Sequence, residues 1–142
     1  MELTRRSAFR LDAPGYQIRL DLDAALCHVR FLGRITGGEM IEAVRAITNA
    51  YDAGPPLDMI WDCSGVNAHI VAPDEFQEIL TLTLDHLRGY HAILYSRVER
   101  EDIISDLFAQ RLIRCGLSAS THLTVPGALL VLERESLPET LL

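Results

Sequence analysis

Residues 57–63, Leu-Asp-Met-Ile-Trp-Asp-Cys, form a short and almost unbroken apolar run. The run is too short for a core helix and sets no alternating face aside for solvent. It therefore predicts a strand covered on both sides, as in the middle of a parallel sheet. Parallel neighbours have to be joined by long crossovers, and the flanking sequence offers them.

Upstream, Thr36-Gly37-Gly38-Glu39 has the form of a capping box, in which the threonine hydroxyl accepts from the Glu39 amide and the glutamate reaches back to the N-cap amide. Met40, Ile41, Val44, Ile47 and Tyr51 then recur at helical spacing until Gly54-Pro55-Pro56, which stops the helix. Downstream, Pro73-Asp74-Glu75 opens a second helix with the stripe Phe76, Ile79, Leu80, Leu84 and Leu87, ended by Gly89. Residues 90–95 read as a strand. A helix follows over about 99–114, with Ile103, Ile104, Leu107, Phe108 and Leu112 facing inward before Gly116. A last strand is expected at 122–125. The short apolar segment 128–132 reads as helix, with strand as its competitor. Leu82 and Ile113 fall off the stripes of their helices and hint at a partner face.

Before all of these, Ile18, Leu20 and Leu22 alternate with Gln17, Arg19 and Asp21, and Cys27, Val29 and Phe31 alternate with His28 and Arg30. That is the pattern of two antiparallel strands turning near residues 23–25. Residues 1–15 have Arg5, Arg6 and Arg10 ahead of Pro14 and Gly15 and no sustained period, so they read as a loose N-terminal arm ahead of a domain over 16–142. The resulting order, β-β-α-β-α-β-α-β-α, predicts an α/β fold. It is a single domain with a mixed, mostly parallel sheet, an N-terminal antiparallel hairpin and about four helices.

Composition removes several kinds of chemistry. All 13 basic residues are arginine. With no lysine there is no Walker A lysine, Schiff base, pyridoxal phosphate anchor or lysine general base, and guanidinium does not replace it because it stays protonated. A net charge of −7 argues against nucleic acid or an anionic membrane surface as partner. Cys27, Cys63 and Cys115 are widely spaced, without a C-x-x-C clip, and read as reduced, buried thiols. The five histidines, His28, His69, His86, His91 and His122, show no metal-face spacing, so neither metal nor cofactor is expected. No signal peptide and no membrane span is apparent, which gives a cytoplasmic expectation.

The segment Ile60-Trp61-Asp62-Cys63-Ser64-Gly65-Val66 resembles the central strand and loop of STAS domains, the family of anti-sigma-factor antagonists and the cytoplasmic tails of sulfate transporters. Phe31-Leu32-Gly33-Arg34-Ile35-Thr36 is similar to the approach to the first helix in STAS domains and their SpoIIAA-like relatives. In element order the resemblance covers about residues 16–134. It implies a STAS-like fold and a non-catalytic regulatory or protein-interaction module with a protein partner. The SpoIIAA-like relatives imply an alternative, a binder or carrier of a small apolar or lipid-like ligand. In the antagonists a serine at the start of the helix after the central strand is phosphorylated by a partner kinase. The matching position here is about Ala72, which has no hydroxyl, and Asp74 and Glu75 already place two like charges there.

Open α/β sheets bind ligands at the carboxyl ends of their strands. This makes Asp62, Ser64, Gly65, Asn67 and His69, in an expected loop from 62 to 73, and Arg97, after the following strand, the candidate binding residues. The plainer reading of Asp62 and Ser64 is that they satisfy loop amides, with Gly65 as a turn residue. Ser64, His69 and Asp62 also suggest a serine hydrolase, but no G-x-S-x-G elbow or oxyanion loop accompanies them. Cys63 beside His69 reads as an inert core thiol more readily than as a thiolate pair. Arg97 and Arg100 could hold a carboxylate or phosphate, yet Glu99, Glu101 and Asp102 stand ready as ion-pair partners. No catalytic residue is assigned. A homodimer through a helix face or the edge of the first hairpin is compatible with the pattern.

Overall fold

The computed structural model describes residues 7–142. Six strands lie in one sheet in chain order: β1 (Ala8–Asp12), β2 (Tyr16–Asp21), β3 (Leu26–Thr36), β4 (Asp58–Ile70), β5 (His91–Leu94) and β6 (Ala119–His122). The first three pair antiparallel, and β3 through β6 pair parallel. α1 (Gly37–Ala50), α2 (Pro73–His86) and α3 (Asp102–Arg114) are the crossovers, and α4 (Val125–Val131) follows β6. The fold is therefore α/β with a mixed, mostly parallel sheet, an antiparallel hairpin at its start and four helices. The strand over residues 57–63 lies inside it, between β3 and β5.

Parallel strands added one after another in the same direction, each by a right-handed crossover, leave all the crossover helices on one face. The core has that form. Ile18, Val29, Phe31, Trp61 and Ile93 of the sheet pack with Val44 and Ile47 of α1, Ile79 and Leu80 of α2, and Phe108 and Leu112 of α3. Residues of the opposite parity, Leu26, Ile60, Ala92 and Leu94, pack with Ala128 and Leu129 of α4 in a smaller core. Trp61 is the hub of the larger one. It lies 6.4 Å from Phe31 and 5.1 Å, edge to face, from Phe108. Its Nε1–H donates to His91 Nδ1 at 3.0 Å, while His91 Nε2–H donates to the Leu87 carbonyl at 2.8 Å. The capping box forms as the sequence predicts: Thr36 Oγ1 accepts from the Glu39 amide and Glu39 accepts from the Thr36 amide, both at 3.1 Å. Glycine is needed at position 89, where a Cβ would collide with the Leu57 carbonyl.

Several expectations need correction. Residues 8–12 are not a loose arm but the edge strand β1, in register with β2 from Ala8 opposite Asp21 to Asp12 opposite Gln17; residues 1–6 of that expected arm lie outside the described residues. β4 does not give way to a loop after Cys63. It continues to Ile70, because Leu32 to Thr36 of β3 go on supplying ladder partners. In α3, Ile103 and Leu107 point outward, and the buried stripe is Ser105, Phe108, Ala109 and Leu112. The final strand lies three residues earlier than expected, and Val125 already belongs to α4. Cys115 is exposed, unlike Cys27 and Cys63. Among the described residues no helix is long and apolar enough to cross a membrane.

Candidate functional site

The extension of β4 decides where every candidate residue points. Arg30 pairs with Asp62, but Leu32 pairs with Gly65; Gly33 pairs with Val66, but Arg34 pairs with Ala68. At each of these steps β4 uses one residue more than β3, which makes two bulges, and each bulge reverses the alternation of side chains between faces. Trp61, Cys63, Val66 and His69 thus share the helix-covered side. The turn-like residues Ser64, Gly65 and Asn67 are absorbed into the bulged strand.

On the other face, Asp62 is buried and fully engaged. Its Oδ1 accepts from the Ser64 hydroxyl at 2.6 Å and the Ser64 amide at 3.0 Å. Its Oδ2 meets His28 Nε2 at 3.0 Å, with Arg30 Nε further off at 3.7 Å. Burial alone would raise the Asp62 pKa, but the hydrogen bonds from His28 and Ser64 outweigh it and bring it down to about 2. The carboxylate stands between imidazole and hydroxyl, so the serine proton is held by an acid anion and no base reaches Ser64 Oγ. That is the wrong order for a nucleophile.

His69 is on the opposite side, away from Ser64, and the structure does not bring the proposed hydrolase pair together. Its Nδ1 lies 2.8 Å from Glu101 Oε2, and its backbone amide donates to the same oxygen at 2.9 Å. Those bonds, the side-chain one foremost, hold the Glu101 carboxyl below its usual range. Glu101 is the N-cap residue of α3 and gives that helix no side-chain cap; its carboxylate is turned back to β4 instead. Gly65, Asn67 and Arg97 are exposed. Among the described residues neither Arg97 nor Arg100 forms a salt bridge, contrary to the ion pairs expected for them; of the three acids expected as partners, Glu101 is turned to His69 instead. Ala72 stands at the N-cap of α2, where its amide donates to Glu75 at 2.9 Å.

The His69 side chain, 1% exposed, lines a cavity of about 30 Å³ between the sheet and the crossover helices. Phe31, Trp61, Ile93 and Phe108 line its sheet side and α3 side. Met40, Phe76 and Ile104, each in the first turn of its helix, meet over it with Val71. Met40, Val71, Phe76 and Ile104 are half-buried, so the opening lies at the carboxyl ends of β3, β4 and β5. Among the described residues His69 Nε2 has no hydrogen-bond partner in this apolar lining, and the Ser105 hydroxyl has none beyond its approach to the Cys63 thiol. Beside them, burial pushes the Cys63 thiol up to about 12, the Asp62 charge adding to the shift and the nearby Ser105 hydroxyl opposing it. A thiol so placed is no nucleophile at neutral pH. Among the described residues no cluster of three His, Cys, Asp or Glu side chains could hold a metal ion.

Sequence reading missed Glu101 and Ser105. Ser105 was legible in principle, whereas Glu101 is set by a contact 32 residues away. Ser105 begins the spacing 105, 108, 109, 112, a continuous helical face once Ile103 and Leu107 are assigned outward. Compared with known proteins, the chain matches no family model, no curated protein and no solved structure.

Proposed function

We propose that this chain is a non-catalytic, ligand-responsive interaction module of the STAS type, with α3 as the element that links a ligand to a partner protein. One observation carries the reading: besides its inner, cavity-lining face, α3 exposes three large apolar side chains to solvent. Its inner face supplies Ile104, Ser105 and Phe108 to the cavity. Its outer face carries Ile103, Leu107 and Ile113 at 61%, 41% and 53% exposure. Helices that only cover a core keep their outer face largely polar, and large exposed apolar side chains gathered on a single helix are the kind of surface that docks a partner. A change in what fills the cavity acts on the first turn of α3 and so on these exposed side chains. The absence of a base at Ser64 and the high Cys63 pKa support the non-catalytic part.

The test uses the full chain as bait in extracts of its own cells, wild type against Leu107→Glu. The reading expects proteins retained by the wild type to be lost with the variant at unchanged melting temperature. Equal retention by both, or retention by neither, overturns it.

A further inference from the structure

We propose that the cavity beneath the first turns of α1, α2 and α3 is a binding site for a small uncharged molecule with a hydroxyl group on an apolar, ring-sized body, the hydroxyl donating to His69 Nε2. The inference rests on the reading of this cavity as the ligand site and gives it a chemical class. Nδ1 of His69 faces the Glu101 carboxylate at 2.8 Å. A carboxylate can only accept, so Nδ1 carries a proton, and a ring that bears that proton alone presents a lone pair at Nε2. Among the described residues that nitrogen is buried, unpartnered and on the cavity wall; the Ser105 hydroxyl, beside the Cys63 thiol, lines the same wall and can donate or accept. A buried acceptor without a partner is costly, and a ligand hydroxyl repairs it.

The lining sets the rest. No arginine, aspartate or glutamate lines the cavity. A bound anion would meet no fixed cation and would lie near the Glu101 charge behind His69; a bound cation would meet no carboxylate. The four aromatic side chains Phe31, Trp61, Phe76 and Phe108 suit a flat apolar body. At about 30 Å³ the space beneath the helix ends takes the hydroxyl and the atoms beside it. The remainder of a ring fits only by parting the half-buried Met40, Phe76 and Ile104, of which methionine yields most easily. A long acyl chain finds no room.

Titration of the intact protein with phenol, toluene and sodium benzoate, followed by calorimetry and by the emission of Trp61, the only tryptophan, tests this. Phenol is expected to bind at least about tenfold tighter than toluene, the worth of one buried hydrogen bond, and benzoate is expected not to saturate. Ser105→Ala and His69→Phe should each shrink the phenol preference, the second abolishing it while toluene still binds, which separates loss of the acceptor from loss of the fold. A smaller preference in the wild type, benzoate binding as tightly as phenol, or no saturation by any probe up to about 10 mM overturns the proposal. The two readings fail separately: partner retention by α3 can be lost with the phenol titration intact, and the reverse.

Discussion

Cys27 and Cys63 face the helix-covered side of the sheet, where burial opposes the thiolate, whereas Cys115 lies in the open at the C-terminal end of α3. The Cys63 pKa reaches about 12 and that of Cys27 is also raised, both chiefly by loss of water. Reactivity follows thiolate fraction and access together. Treatment of the native protein with a disulfide reagent such as dithionitrobenzoate is therefore expected to modify one thiol quickly, and three in denaturant; Cys115→Ser should remove the fast thiol. Fast reaction of a second thiol in the native state would contradict the packing around Cys63. Sequence reading placed all three cysteines inside from their wide spacing and the lack of a C-x-x-C clip. It had no means to see that Cys115 follows the last turn of α3, where the chain is already leaving the core.

At the scale of elements, the parts that were legible were those set by local chemistry. The capping box at Thr36 needs only four residues, and both of its bonds form. Thr36→Ala removes the acceptor for the Glu39 amide and is expected to cost about 1 kcal/mol, lowering the melting temperature by about 3 °C in a domain of this size; Thr36→Ser should recover most of it. An unchanged melting temperature in the alanine variant would mean the cap contributes nothing. The parts that were not legible were set by a partner strand or by orientation. Ser64, Gly65 and Asn67 look like turn residues, yet the neighbouring Leu32 to Thr36 continue the ladder and turn them into bulges. The candidate site divided because the segment is strand and not loop: the two reversals cancel, and Asp62 and His69, seven residues apart, fall on opposite faces. In α3, Ile103 and Leu107 outscore Ser105 on hydrophobicity, so a stripe chosen by apolar residues alone is rotated away from the true one. The same rotation hid Ser105 and exposed the apolar side chains.

Across the whole molecule, the order of elements sufficed for the architecture. Alternation of strands and helices at short connections leaves few topologies, and the helix-covered face follows from it without any side-chain detail. What the order could not show is that two buried ionisable groups lie on the two faces of the same sheet and titrate in different ranges. On the helix side, burial lowers the His91 pKa to about 4, with the Leu87 carbonyl opposing the shift, while Trp61 occupies its other nitrogen. The unfolded chain takes up that proton below about 6.5 and the folded one resists until about 4. His91 therefore favours folding fully above pH 6.5 and progressively less as pH falls to 4, a loss of about 3 kcal/mol. His122, lowered by burial, pulls the same way. On the opposite face, Asp62 stays charged to about pH 2 where the unfolded carboxyl protonates near 3.8. Its contribution, about 2 kcal/mol, is intact above 3.8 and lost between there and 2. Urea unfolding at a series of pH values should accordingly show stability falling in two stages from neutral pH downward. His91→Gln should make the upper stage markedly shallower and leave the lower, and Asp62→Asn should do the reverse, the remainder coming from His122 above and from Asp21 and Glu101 below. If wild-type stability is constant from pH 7 to 4, the neutral His91 clamped between Trp61 and Leu87 is not the resting state of this core.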